Sequence, residues 1–264
     1  MKIIVNSKEL REAINAVLLK GKWNLGADCK NHQLNSSVIL EVDTVGNCSL
    51  FNGDEATYVE YRIEVSSEFL DIKVGRVCLD TTTLLKYLKG NEEITLTHDD
   101  SRGILEITTG TSVVSIPTLE RHNHSDSIYS VKEKYSANYT DYNLFSDEGL
   151  KISNRTILKT ILKIESSEIK DALKACEIVG SGIFKLVYAG DNILTVSSNK
   201  LNEEMKHTIV LDEVIGPHAT VEFTAPLHLL MNEETLIAFN DNSPVCIMNN
   251  RAKILRAPRV GDEA

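Results

Sequence analysis

The sequence predicts an α+β fold made of two tandem domains, each an antiparallel sheet with two helices on one face. Three observations carry that expectation. An internal repeat spans most of the chain, strand-like runs come in groups rather than alternating singly with helices, and one long polar connector separates the halves. At 264 residues the chain has the length of two ordinary domains. Its apolar fraction of 42% and charged fraction of 25% suit a packed core and point away from disorder.

The repeat begins with residues 2–17, KIIVNSKELREAINAV, and residues 161–176, ILKIESSEIKDALKAC. Aligned end to end, Leu10, Ala13, Ile14 and Val17 fall on Ile169, Ala172, Leu173 and Cys176. Ser7 falls on Ser166, and Glu9 on Glu168. The spacing i, i+3, i+4, i+7 makes one apolar helical stripe in each copy, after a short strand and a serine suited to cap the helix. Next, SVILEVD (37–43) and IFKLVYA (183–189) read as strands that lead through Gly46-Asn47 and Asp191-Asn192 turns into another strand. YVEYRIEV (58–65) and MKHTIVL (205–211) supply one more strand each. VCLDTTTLLKYL (77–88) and VEFTAPLHLLM (221–231) are strands running into short Leu-rich helices. Each half closes on three strand-like runs: ITLTH, ILEITT and VVSIPT in the first, TLIAF, PVCIMN and KILRAP in the second. The expected domains are 1–120 and 150–264. The connector 121–149 is polar, holds four tyrosines and has no sustained period; a loop of that length is functional or disordered.

Composition narrows the function classes. The opening MKIIVNSKEL turns polar after five residues, unlike a secretory signal, and no apolar run approaches the ~20 residues of a membrane span. Five scattered cysteines without CxxC spacing read as free buried thiols in a reducing compartment, so a cytoplasmic protein is expected. The net charge of −10 is unlike that of a generic DNA-coating protein, whose affinity comes from phosphate neutralisation. No phosphate-cradling GxxxxGK[ST] or GxGxxG occurs, nor GxSxG or HExxH, so no enzyme and no cofactor is expected. The only metal-like groupings, His122 with His124 and Cys29 with His32, are half-sites, and no metal is expected.

Several segments resemble the DNA sliding clamps, the archaeal and eukaryotic proliferating-cell nuclear antigen and, more distantly, the bacterial polymerase III β subunit. In the first half these are VILEVD, VCLDTTTLLKYLKGNEEITLT and VVSIPTLE. In the second they are AGDNILTVSSNKLNEEMKHTIVL, VEFTAPLHLL, NSPVCI and KILRAPRV with its acidic tail. The resemblance implies a processivity factor without chemistry of its own. Six such domains would form a ring around duplex DNA, here as a homotrimer. An ATP-driven clamp loader would open it, and DNA polymerase and other clamp-binding proteins would be its partners. A ring scaffold that binds proteins without encircling DNA is the alternative.

The resemblance also implies sites. Helices line the hole of a clamp, which would place Lys8, Arg11, Lys20, Lys22, Lys86, Lys89, Lys170 and Lys174 toward DNA. Segments 7–22, 80–90 and 166–176 hold eight basic and five acidic residues, a net of +3 that leaves −13 on the rest. The same spacing also suits ordinary solvated helix faces. Subunits would join by pairing the strand of Ser112, Val113, Val114 and Ser115 with that of Asn192, Ile193, Leu194, Thr195 and Val196 in the next chain, which covers an edge that would otherwise invite aggregation. Partner peptides would enter a groove at Ile128, Tyr129, Pro244, Ala257 and Pro258.

Overall fold

The grouping of strands along the sequence produces antiparallel ladders closed by short turns. The computed structural model describes residues 1–18, 36–53, 57–65, 72–119, 130, 149–152, 156–224 and 234–259. Two compact units emerge, one from the described residues up to 130 apart from 57–58, the other from those beyond.

In the first unit β1 (Lys2–Asn6) runs into α1 (Ser7–Val17), followed by β2 (Ser37–Val42), β3 (Cys48–Gly53), β4 (Thr57–Ile63) and β5 (Gly75–Asp80). Then come α2 (Thr81–Tyr87), β6 (Glu93–Asp99), β7 (Ile104–Thr109) and β8 (Ser112–Pro117). The strands are antiparallel, as expected, and fall into two ladders. One has the order β1-β6-β7-β8, and in the other β4, β3, β2 and β5 are successive neighbours. The reason is that β1 pairs with β6, from beyond the second helix, and not with the strand that follows its own helix.

The second unit repeats this plan. A short ladder of β9 (Leu150–Lys151) and β10 (Ile157–Leu158) precedes β11 (Thr160–Glu165) and α3 (Ser166–Glu177). Then follow β12 (Ile183–Tyr188), β13 (Ile193–Lys200), β14 (Glu203–Val210), β15 (Glu213–Ile215) and β16 (Ala219–Thr224). The last three are β17 (Glu234–Phe239), β18 (Val245–Met248) and β19 (Ala252–Arg256). β11 pairs with β17 as β1 pairs with β6, and the order β14-β13-β12-β16 matches β4-β3-β2-β5. The Leu-rich helix expected after VEFT falls on 225–233, outside the described residues.

The apolar stripes drive the packing. Leu10, Ala13, Ile14 and Val17 are buried where α1 lies on β1 and β3, and Ile169, Ala172, Leu173 and Cys176 where α3 lies on β11, β13 and β14. Phe184 and Phe223 stack 5.9 Å apart on paired strands. The caps differ from expectation. Asn6, not Ser7, caps α1, its Oδ1 accepting from the N–H groups of Lys8 at 2.9 Å and Glu9 at 3.3 Å. Ser7 and Ser166 instead occupy the first helical position and are buried. α3 has no side-chain cap, because Glu165 stands where Asn6 does in α1.

Candidate functional site

The pairing of β1 with β6, Asn6 opposite Glu93, sets the start of α1 beside the loop after α2. Ser7 N–H donates to Glu92 O at 2.9 Å, and Arg11 Nη2 donates to Gly90 O at 2.6 Å. Asp80 opens α2 by accepting from Thr83 N at 2.9 Å. The first two bonds tie the start of α1, with Lys8 and Arg11, to the loop after α2 that holds Lys89. Lys8, Lys86 and Lys89 are exposed, whereas Arg11 is half-buried and its guanidinium is engaged with a backbone carbonyl. Arg11 therefore shapes the loop that carries Lys89. Lys8 faces Glu12 at 3.9 Å, an exposed pair of little energetic worth that still dilutes the positive field.

On α3, Lys174 is exposed with Asp171 at 3.8 Å, and Lys170 is half-buried. Burial holds the Lys170 amine below its ordinary pKa; Lys174 adds to this and Asp171 opposes it. Lys20 and Lys22 lie outside the described residues. The described helices thus carry cations beside acids, which leaves only a weak positive field along them.

The strand edges give a sharper result. Among the described strands of three or more residues, β1, β8, β5, β15, β14 and β16 end a sheet. Four of these are blocked or short. β1 exchanges two backbone bonds between Lys2 and Lys73, at 3.2 and 3.0 Å. β5 accepts Leu119 N–H at Cys78 O, 2.9 Å away. β16 is plugged by Arg259 N–H on Glu222 O at 2.7 Å and by Asp241 Oδ1 on Thr220 N–H at 2.6 Å. β15 has three residues. That leaves β8 and β14 as the long edges without a strand neighbour among the described residues.

β8, which carries Ser112, Val113, Val114 and Ser115, is therefore an edge. The partner strand expected at Asn192, Ile193, Leu194, Thr195 and Val196 needs correction. Asn192 lies in a turn, and β13 is hydrogen-bonded on both sides, to β12 and β14, so it has no free edge to offer. The edge is β14. A signal for this was present: EEMKHTIV carries charges at the positions that face water, the usual protection of an edge, whereas ILTVSS reads as an interior strand.

Of the groove residues, Pro244 and Ala257 flank the end of one ladder, since each is the chain neighbour of a residue of its last pair, Val245 with Arg256. Pro258 follows, held by the Arg259 bond to β16. All three are half-buried. Ile128 and Tyr129 lie outside the described residues, as do His122, His124, Cys29 and His32. The described cysteines, Cys48, Cys78, Cys176 and Cys246, are buried, and burial pushes the Cys48 thiol up to about 12 and those of Cys78 and Cys246 up to about 11. Among the described residues no group of three His, Cys, Asp or Glu is placed to hold a metal, and no helix is long and apolar enough to cross a membrane.

No family model matches the sequence, and no curated protein does. Solved structures do resemble the chain. The sliding clamp of Bacillus subtilis superposes with a TM-score of 0.71 at 15% identity, covering 99% of this chain and 64% of that one. The Helicobacter pylori β clamp bound to a DNA ligase peptide gives 0.65 at 15% identity, covering 100% and 68%. The A. fulgidus PCNA bound to the C-terminal region of FEN-1 gives 0.66 at 12% identity, covering 99% of both chains. The chain has the sliding-clamp fold, and spans about two thirds of the length of the bacterial clamps.

Proposed function

We propose that this chain is a sliding-clamp subunit: a non-enzymatic protein that joins head to tail with copies of itself, encircles duplex DNA without reading its sequence, and tethers replication and repair proteins to it. The observation that carries the proposal is the pair of long edges, β8 and β14, that have no strand neighbour among the described residues, one in each unit of a chain with the sliding-clamp fold. Two different edges on one chain make a heterologous contact, and repetition of such a contact closes a ring when the rotation permits.

Domains at 1–120 and 150–264, joined by the connector 121–149, supply two of six ring positions, so three chains close the ring. The length match to A. fulgidus PCNA supports this number. The weak positive lining at Lys8, Lys86, Lys89 and Lys174 suits a protein that slides, because topology and not phosphate affinity retains it. Partner peptides of DNA polymerase, ligase or nuclease occupy the groove at Pro244, Ala257 and Pro258, as the peptide-bound clamps suggest. A clamp loader opens the ring in the cytoplasm, where the DNA lies.

The test uses linear duplex tethered to beads at one end. Protein is threaded on, the free end is capped or left open, and the beads are washed at rising salt. An encircling ring stays on capped DNA and leaves open DNA. Equal release from both overturns the encircling function and leaves the ring scaffold that binds proteins alone.

A further inference from the structure

The β13–β14 hairpin runs past the rest of its sheet. The pairs Ser198–Met205, Asn199–Glu204 and Lys200–Glu203 lie beyond the last pair that β13 makes with β12, Lys185–Ser197. Leu201 turns the chain at the tip and is 99% exposed. Its φ of 54° lies in the left-handed region, where glycine or asparagine sits with less strain than a bulky side chain. Leucine here costs the fold twice, in exposed apolar area and in backbone strain.

The end of α3 lies at the same end of the second unit. Cys176 Sγ donates to Val196 O at 3.5 Å and to Met205 O at 3.8 Å, and the hydroxyls of Ser181 and Ser198 lie 2.6 Å apart. Ile178, between these anchors, is 83% exposed. Leu201 and Ile178 are the two most exposed large apolar side chains among the described residues, and folding brings both to one end. A single exposed leucine needs no explanation, but apolar area gathered in one place marks a contact surface.

The charges around the tip indicate the partner. Lys200 and Glu203 stand opposite each other across the turn, both exposed, and neither has an ion-pair partner among the described residues. Glu204, by contrast, is occupied by Lys206 at 3.0 Å. One cation and one anion on either side of an apolar knob make a surface complementary to itself. Half a turn about an axis through Leu201 sets leucine on leucine, Lys200 against Glu203 of a second copy, and Glu203 against its Lys200.

We infer that the β13–β14 tip joins two copies of this chain about a two-fold axis, with Leu201 at the centre, Ile178 beside it and Lys200 paired with Glu203 across the contact. Unlike the joining of sheet edges, this contact is isologous, uses side chains rather than backbone, and is complete with two copies. In the ring proposed above it recurs once per subunit and holds two rings face to face, so that three weak contacts act together. The contact stands whether or not the ring forms.

The test is solution mass by light scattering over a dilution series, for the full chain and for Leu201→Asn. Asparagine suits the left-handed turn, so the urea midpoint should not fall, while loss of the buried leucine weakens each contact about ten- to a hundredfold. The expected result is six chains for the parent and three for the variant at the same concentration. Two chains for the parent and one for the variant support the contact and overturn the ring. Three chains for both, or six for both, overturn the contact and leave the ring. One chain for the parent at every concentration overturns both. Lys200→Glu and Glu203→Lys should each lose the pairing alone, by like charges meeting, and regain it when the two variant proteins are mixed. A mixture that stays unpaired, where the parent pairs, overturns the two-fold arrangement.

Discussion

Thr208→Pro isolates the use of the β14 edge from the stability of the fold. The N–H of Thr208 points away from β13, by the alternation anchored at Leu211 and Asn192, and its side chain is exposed. Proline is tolerated at an edge position of that kind, so the isolated chain should keep its stability to within about 0.5 kcal/mol. In the assembled protein the change removes one bond, worth ~1 kcal/mol, and leaves a buried carbonyl unpaired, which costs ~1–3 kcal/mol. A loss near 2 kcal/mol per joint weakens each contact about 30-fold, at 1.4 kcal/mol per factor of ten. Light scattering over a dilution series should show assembly moving to correspondingly higher concentration. Thr208→Val, which keeps the N–H, should assemble as the parent does. Ser115→Pro repeats the test from β8. Assembly by both proline variants at the parent's concentration, with the fold intact, refutes the assignment of these edges.

Two further outcomes test the fold and its electrostatics. Phe184→Ala removes a fully buried ring stacked on Phe223 and should cost about 3–5 kcal/mol in urea unfolding, with a loss below ~1 kcal/mol contradicting the packing. Asp99 accepts from Ser101 Oγ and from Arg102 Nε, both at 2.6 Å, and these bonds, with Ser101 first, hold its carboxyl well below the usual range. A depressed carboxyl stabilises the fold above its unfolded value, about 3.9, and that contribution is lost as pH falls below it. Asp99→Asn should therefore flatten the acid limb of stability measured by urea midpoints between about pH 5 and pH 2, and an unchanged slope contradicts the role.

The sequence by itself determined the elements and their repetition. Apolar spacing over 2–17 and 161–176 set two helices and the faces they bury, because a 3.6-residue period leaves only one stripe able to meet a sheet. Alternation in runs such as IFKLVY marked strands for the same local reason. It did not determine which strand lies beside which. The pairing of β1 with β6 joins residues about ninety positions apart, and the choice is made by packing across the whole unit. The caps turned on one atom's position, since Asn6 Oδ1 reaches two N–H groups that a serine one place later does not.

The candidate site divides along the same line. Exposed lysines at 8, 86, 89 and 174 were legible, as charge opposite an apolar stripe has nowhere to go but water. That Arg11 spends its guanidinium on Gly90 was not, because the partner is a backbone carbonyl brought near only by folding. The sheet edge, β14, lies one strand away from the strand expected to be one. Whether a strand is an edge depends on the absence of a neighbour, and a neighbour is a property of the tertiary structure that no segment carries within itself.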